Sequence, residues 1–163
     1  MAALNTGTQA PDFRLPLVGG GEFSLKESLA KSAVVLAFFK ISCPVCQYAL
    51  PIVERIHRAY PNAKIYGVSQ NSAHDTERFC REFDVTFPIL LDDPKTYTAS
   101  NAYGLTNVPT IFYIAPDGEI EVSSVGWSRK EVEEIATRLA TVQKAPPASL
   151  FHAGEQVADF RSG

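Results

Sequence analysis

Two cysteines three residues apart, Cys43 and Cys46, stand where one apolar run ends and a periodic one begins, and this junction constrains the fold more than any other feature. Residues 32–40 (SAVVLAFFK) are nearly all apolar and rich in β-branched and aromatic side chains, the composition of a strand buried on both faces of a sheet. From position 44 to about 60, Val45, Ala49, Ile52, Val53 and Ile56 recur at three- and four-residue intervals and predict a helix with one buried face. Pro44 suits its first position, because its φ is pre-set and its missing N–H has no partner to lose there. Pro51 removes one donor inside the helix and predicts a bend. A thiol at a helix N-terminus faces unpaired N–H groups and the positive end of the macrodipole, both of which favour thiolate. Cys43 is therefore the candidate nucleophile. Cys46, one turn on, is near enough to close a disulfide with Cys43 or to attack a mixed disulfide formed there, which makes it the candidate resolving thiol.

Strand and helix patterns alternate along the rest of the chain. A short hairpin is expected around Gly19-Gly20-Gly21, then a small helix capped by Ser24. Residues 64–69 and 87–91 read as strands, 75–83 and 95–103 as helices, the last closed by Gly104. Pro116-Asp117-Gly118 joins residues 110–115 to 119–125 as an antiparallel hairpin, and Ser128 opens a final helix to about Val142. The expected architecture is α/β or α+β, a central mixed β-sheet with helices on both faces. Residues 1–142 form the domain; Pro146-Pro147 ends the helix, and 143–163 read as an irregular C-terminal tail that packs across the domain or meets a second copy.

Composition removes several functions. The chain has 163 residues, enough for one domain with its own core. A formal charge of −3 lacks the basic excess that nonspecific nucleic-acid binding requires. The longest apolar run, residues 33–39, is strand-sized, so no membrane span is expected. The opening residues have neither a basic start nor an apolar core of leader length, and with only three cysteines the chain is expected in the cytoplasm.

Two cysteines at this spacing can also be half of a zinc site, but Cys80, His57, His74 and His152 supply no second ligand pair, and neither metal nor other cofactor is expected. Inert burial is the other alternative, and is the reading adopted for Cys80, which lies between Phe79 and Phe83 on a helix. Pro109 in Val108-Pro109-Thr110 begins a strand yet cannot donate to its ladder, so it marks an edge, a bend or a cis bond.

Together these residues resemble the thioredoxin superfamily: CPVC after a buried strand, Pro51 five residues beyond the second cysteine, Val108-Pro109-Thr110 as a cis-proline loop, and Gly126 after the last strand. Ala10-Pro11-Asp12-Phe13, the inserted strand–helix segment with Gly67-Val68-Ser69 and Phe87-Pro88-Ile89-Leu90, and Tyr103-Gly104-Leu105 are similar to its redoxin branch, the AhpC/TSA and TlpA-like group. The resemblance covers residues 9–139 and implies a thioredoxin-like fold and a thiol–disulfide oxidoreductase. In it Cys43 attacks, Cys46 resolves, and Pro109 lies cis opposite the pair. Pro44, Val108 and Pro109 would meet the substrate, the Val108 backbone pairing with an extended partner segment. The implied partners are protein or low-molecular-weight disulfides and thiols, with an upstream reductant or oxidant.

The chain departs from that pattern in two ways. Ser42 stands where an aromatic residue usually precedes the first cysteine, and Ala37 and Ala49 stand where relatives carry an acid. Lys40, three residues before Cys43, is the candidate electrostatic modulator of the thiol. A peroxiredoxin-like peroxidase is the alternative function, but the hydroxyl residue expected three positions before its cysteine is Lys40 for Cys43 and Cys43 for Cys46. A thiol-based copper or metal chaperone is a third reading.

Overall fold

The computed structural model describes residues 3–163. Its first strands, β1 (Arg14–Pro16) and β2 (Glu22–Ser24), pair antiparallel around the predicted glycine turn. The Ser24 hydroxyl then accepts the Glu27 N–H at 3.3 Å and starts α1 (Leu25–Leu29). Strand β3 (Val34–Phe39) has every residue buried and leads into α2 (Pro44–Ala59), which runs through Pro51. The inserted segment follows as β4 (Lys64–Ser69), α3 (Ala73–Phe83), β5 (Ile89–Leu91) and α4 (Thr98–Ala102). The last of these is shorter than its pattern predicts: Tyr97 adopts a left-handed conformation at φ 49° and delays the helix to Thr98. The chain ends with β6 (Thr110–Ile114), β7 (Ile120–Val125), β8 (Trp127–Ser128), α5 (Arg129–Val142) and β9 (Phe160–Arg161).

Five strands form the central sheet in the order β5-β4-β3-β6-β7. The β3–β4 and β4–β5 pairs are parallel, while β6 runs antiparallel to both β3 and β7. Because side chains alternate along a strand, the apolar run of β3 feeds two cores. Val35, Ala37 and Phe39 face α2, Phe79 of α3 and α5, whereas Val34, Leu36 and Phe38 face the N-terminal hairpin, Tyr103 and Phe112. Each fully buried Leu or Phe contributes about 1.5–3 kcal/mol, so β3 alone explains why the sheet forms around it. Gly67 lies in close packing: a Cβ there would stand 2.7 Å from Ile89 Cδ1 and within 3.2 Å of the Phe39 and Phe87 rings.

The expectation of an irregular tail needs one amendment and one addition. Residues Phe160–Arg161 pair antiparallel with Trp127–Ser128, so the tail ends in a short ladder. Before that it runs down α2, from the helix's C-terminal end toward its N-terminal end. The Tyr60 hydroxyl donates to Pro146 O at 3.2 Å and accepts the Ala148 N–H at 2.8 Å. Arg55 holds both carboxylate oxygens of Glu155, at 2.9 and 2.8 Å, and also the Leu150 carbonyl. The Tyr48 hydroxyl accepts the Ala158 N–H at 3.1 Å.

Candidate active site

The turn from β3 into α2 is held before the cysteines are reached. Ile41 N–H donates to Asn71 Oδ1 and Gln47 Nε2 donates to Ile41 O, both at 3.0 Å. Cys43 then takes the N-cap position with extended backbone (φ −87°, ψ 114°), and its Sγ accepts the Cys46 N–H at 3.1 Å, the bond a Ser or Asp oxygen usually makes there. The Cys43 thiol also faces the Val108 carbonyl, with Sγ 3.5 Å from the oxygen.

The two thiols, both free, differ in surroundings. Cys43 is half-buried, while Cys46 is 0% exposed. Burial pushes the Cys46 thiol far above its ordinary pKa, with the hydrogen bond and charge of Cys43 adding, and a bond with the Lys40 backbone and the Lys40 charge pulling the other way. Lys40 Nζ sits over the Tyr97 ring, 5.6 Å from its centroid. It lines a polar cleft of about 190 Å³ with Gln70, Tyr97, Ser100, Asn107 and Val108.

Of the three options for Pro109, the Val108–Pro109 bond is cis. The strand it opens is not an edge, since β6 lies between β3 and β7. Two bonds hold the loop: Thr110 Oγ1 donates to Asn107 O at 2.9 Å, and Gly126 N–H donates to Pro109 O at 2.8 Å. Cys43, Cys46 and Val108 are thus brought together, with Pro44 exposed next to Cys43 and Pro109 buried behind Val108.

Cys80 stays apart, packed against the α2 side of the core, and burial, with Glu54 and Glu77, pushes its thiol up to about 11. Among the described residues, no three His, Cys, Asp or Glu side chains gather in a way that could hold a metal ion. Nor is any described helix long and apolar enough to cross a membrane.

The sequence reading missed three features of this region. Glu54, buried inside α2, accepts from Thr86 N–H at 2.8 Å, from the Thr86 hydroxyl, from Phe87 N–H and from Arg58 Nε at 2.9 Å. Burial raises its pKa, but these donors outweigh burial and leave the carboxyl below its ordinary range. Tyr48 meets Trp127 edge-on at 5.2 Å and carries Arg161 over its ring at 4.4 Å. Asn107 lies beside Gly163. An acid at an otherwise apolar helical position was the only available signal, and it marked Glu54 alone.

The sheet order, the CPVC turn at the head of α2 and the cis-proline loop against it define an oxidoreductase of the thioredoxin superfamily. More narrowly, the AhpC/TSA family profile matches residues 6–123, and the chain belongs to that family. It is similar to the thioredoxin-like protein YneN of Bacillus subtilis, with 32% identity over 80% of this chain and 78% of the relative. It is also similar to the thiol-disulfide oxidoreductase ResA of Halalkalibacterium halodurans, with 33% identity over 78% and 73%. The crystal structure of the thioredoxin domain of a thiol-disulfide oxidoreductase from Bacteroides vulgatus shares the fold, with a TM-score of 0.71 and 21% identity over 87% of this chain and 98% of that one.

Proposed function

We propose that the chain passes two electrons between its CPVC pair and disulfide partners, with Cys43 as the attacking thiol and Cys46 as the resolving one. The asymmetry of the pair carries this reading: the half-buried sulfur of Cys43 is held by an N–H at the head of α2, whereas Cys46 is sealed and its thiol pushed up. In the reducing direction the Cys43 thiolate attacks one sulfur of the partner, the partner's S–S bond breaks, and the second sulfur leaves as a thiolate. Cys46 then gives up its proton and attacks Cys43 Sγ. The Cys43–Cys46 disulfide forms, the mixed disulfide breaks, and the partner leaves as a dithiol. A dithiol donor upstream restores the pair.

We infer the reducing direction, the one that suits a chain with three cysteines in a reducing compartment. The reducing cytoplasm of the sequence reading suits a pair kept as dithiol. Similarity to ResA and YneN supports disulfide exchange over peroxide reduction, and the position three residues before Cys43 is Lys40 instead of a hydroxyl residue. The test is equilibration in glutathione buffers with mass-tag alkylation, alongside Cys46→Ser incubated with a disulfide substrate. The expected potential lies near the reducing end, about −270 mV, and Cys46→Ser accumulates a mixed disulfide on Cys43. A value near about −120 mV reverses the direction. If no Cys43–Cys46 disulfide forms at any poise, the dithiol mechanism falls and stoichiometric Cu(I) binding becomes the reading to measure.

A further inference from the structure

We propose that residues 157–163 are a resident strap lying along the approach to Cys43, so that the resting site admits small disulfides and accepts an extended segment of a protein disulfide only when the strap lifts. The inference rests on the reading of Cys43 as the attacking thiol.

Outside its own helix, Cys43 Sγ meets the Val108 carbonyl at 3.5 Å. A disulfide on a polypeptide must bring its own backbone into the gap between the head of α2, the 107–109 loop and Gly126. Part of that gap is filled. A Cβ built on Gly163 would run into Val108 O and stand 2.6 Å from Asn107 Nδ2, and one built on Gly126 would stand 2.5 Å from Arg161 O. The strap therefore lies backbone against backbone, at a spacing that glycine on both sides permits. Gly126 is also at φ +74°, where other residues are strained.

The strap is anchored by few groups. Ala158 N–H donates to Tyr48, Trp127 Nε1 donates to Ala158 O at 2.7 Å, and Arg129 N–H donates to Asp159 O at 3.0 Å. Beyond these it has the short ladder with β8, Arg161 stacked on Tyr48, and Val157 and Ala158 half-buried against the α2 side of the core. Phe160 is 62% exposed, and Arg161 is exposed as well. A segment with so little buried apolar surface opens at far lower cost than the domain unfolds. An incoming extended chain with an apolar side chain matches it in kind: it competes for the β8 edge and leaves Phe160 free to be covered.

The experiment compares wild type with Arg161→Ala and Ala158→Pro, all as the full chain, on insulin and on glutathione disulfide. Arg161→Ala removes only the stacking on Tyr48, and Ala158→Pro removes the donor to the Tyr48 hydroxyl. Trp127, the chain's single tryptophan, reports strap release through its fluorescence, and circular dichroism checks the fold of each variant. The expected result is insulin reduction faster by about tenfold, the factor for a site open about a tenth of the time, with glutathione disulfide turnover unchanged within about twofold. Equal changes on both substrates, or released tryptophan fluorescence with no change in insulin reduction, overturn the strap while leaving the dithiol reading intact. If wild type reduces neither substrate in a Cys43-dependent way, the dithiol reading fails first and the strap falls with it.

Discussion

The two ends of α2 are built to opposite specifications. Its C-terminal half is pinned from three directions: Glu54 gathers the donors of Thr86, Phe87 and Arg58, Arg58 reaches Asp84 at 3.0 Å, and Tyr60 clasps the start of the tail. Its N-terminal end meets the β3–α2 turn, the 107–109 loop and the strap, and there the Cys43 sulfur is left half-buried. On the proposed reading Cys43 is the nucleophile, and a nucleophile must be reachable while its geometry holds within a fraction of an ångström, which suits a helix fixed at its far end. Tyr48 and Arg55 extend the contrast: the same helix that carries the thiol guides the tail toward it.

The comparison breaks most sharply at the reactive end. Cys43→Ala is expected to lower disulfide turnover by at least about a thousandfold, as read by insulin reduction, while urea denaturation shows the loss of about 1 kcal/mol that goes with the N-cap bond to the Cys46 N–H. The mirror case is Glu54→Ala. Removing that carboxylate leaves the Thr86 and Phe87 N–H groups without a buried acceptor, at a cost of about 2–3 kcal/mol of stability in urea, with turnover at 25 °C within about twofold of wild type.

Glu54 also carries the acid dependence of the pinned end. Its carboxyl titrates below its ordinary value when folded, so as pH falls the unfolded chain takes up the proton first. The stabilisation is present above the ordinary carboxylate pKa of about 4.3 and is lost as pH falls through the lower folded value. Thermal melts of Glu54→Gln should show a flatter acid limb than wild type.

The smallest expected effect is at Lys40. Loss of its charge removes one influence favouring Cys46 thiolate, so Lys40→Gln should slow mixed-disulfide resolution by about twofold at pH 7, a ratio that holds at pH 8 because the thiol stays protonated at both. The sequence reading assigned this lysine to Cys43. The structure sets its amine over Tyr97, beside the cleft.

Legibility followed chain distance. The CPVC turn, the buried β3, the face of α2, the 116–118 hairpin turn and the Ser128 cap all depend on neighbours within a few residues, and each was readable from spacing and side-chain type. Tyr97 was not, because nothing in a tyrosine announces a left-handed backbone, and that conformation shortens α4. The tail was the hardest. Its side chains alternate irregularly because they answer to distant partners, Trp127 of β8 lying 31 positions from Ala158 and Arg55 of α2 lying 100 from Glu155. That pair holds the Glu155 carboxyl at about 2, through the Arg55 hydrogen bonds first, yet neither residue signals the other in the sequence.

By itself, then, the amino-acid order determined a buried strand feeding a helix headed by two cysteines, because apolar periodicity and helix-start chemistry act locally. Tertiary structure decided which thiol is reachable, what stands opposite it and what lies across the approach. Burial of Cys46, the meeting of Cys43 with Val108, and the seating of Gly163 against that same carbonyl each require segments far apart in the chain to be packed together. Exposure and long-range contact are properties of a packed surface, and no spacing along the chain encodes them.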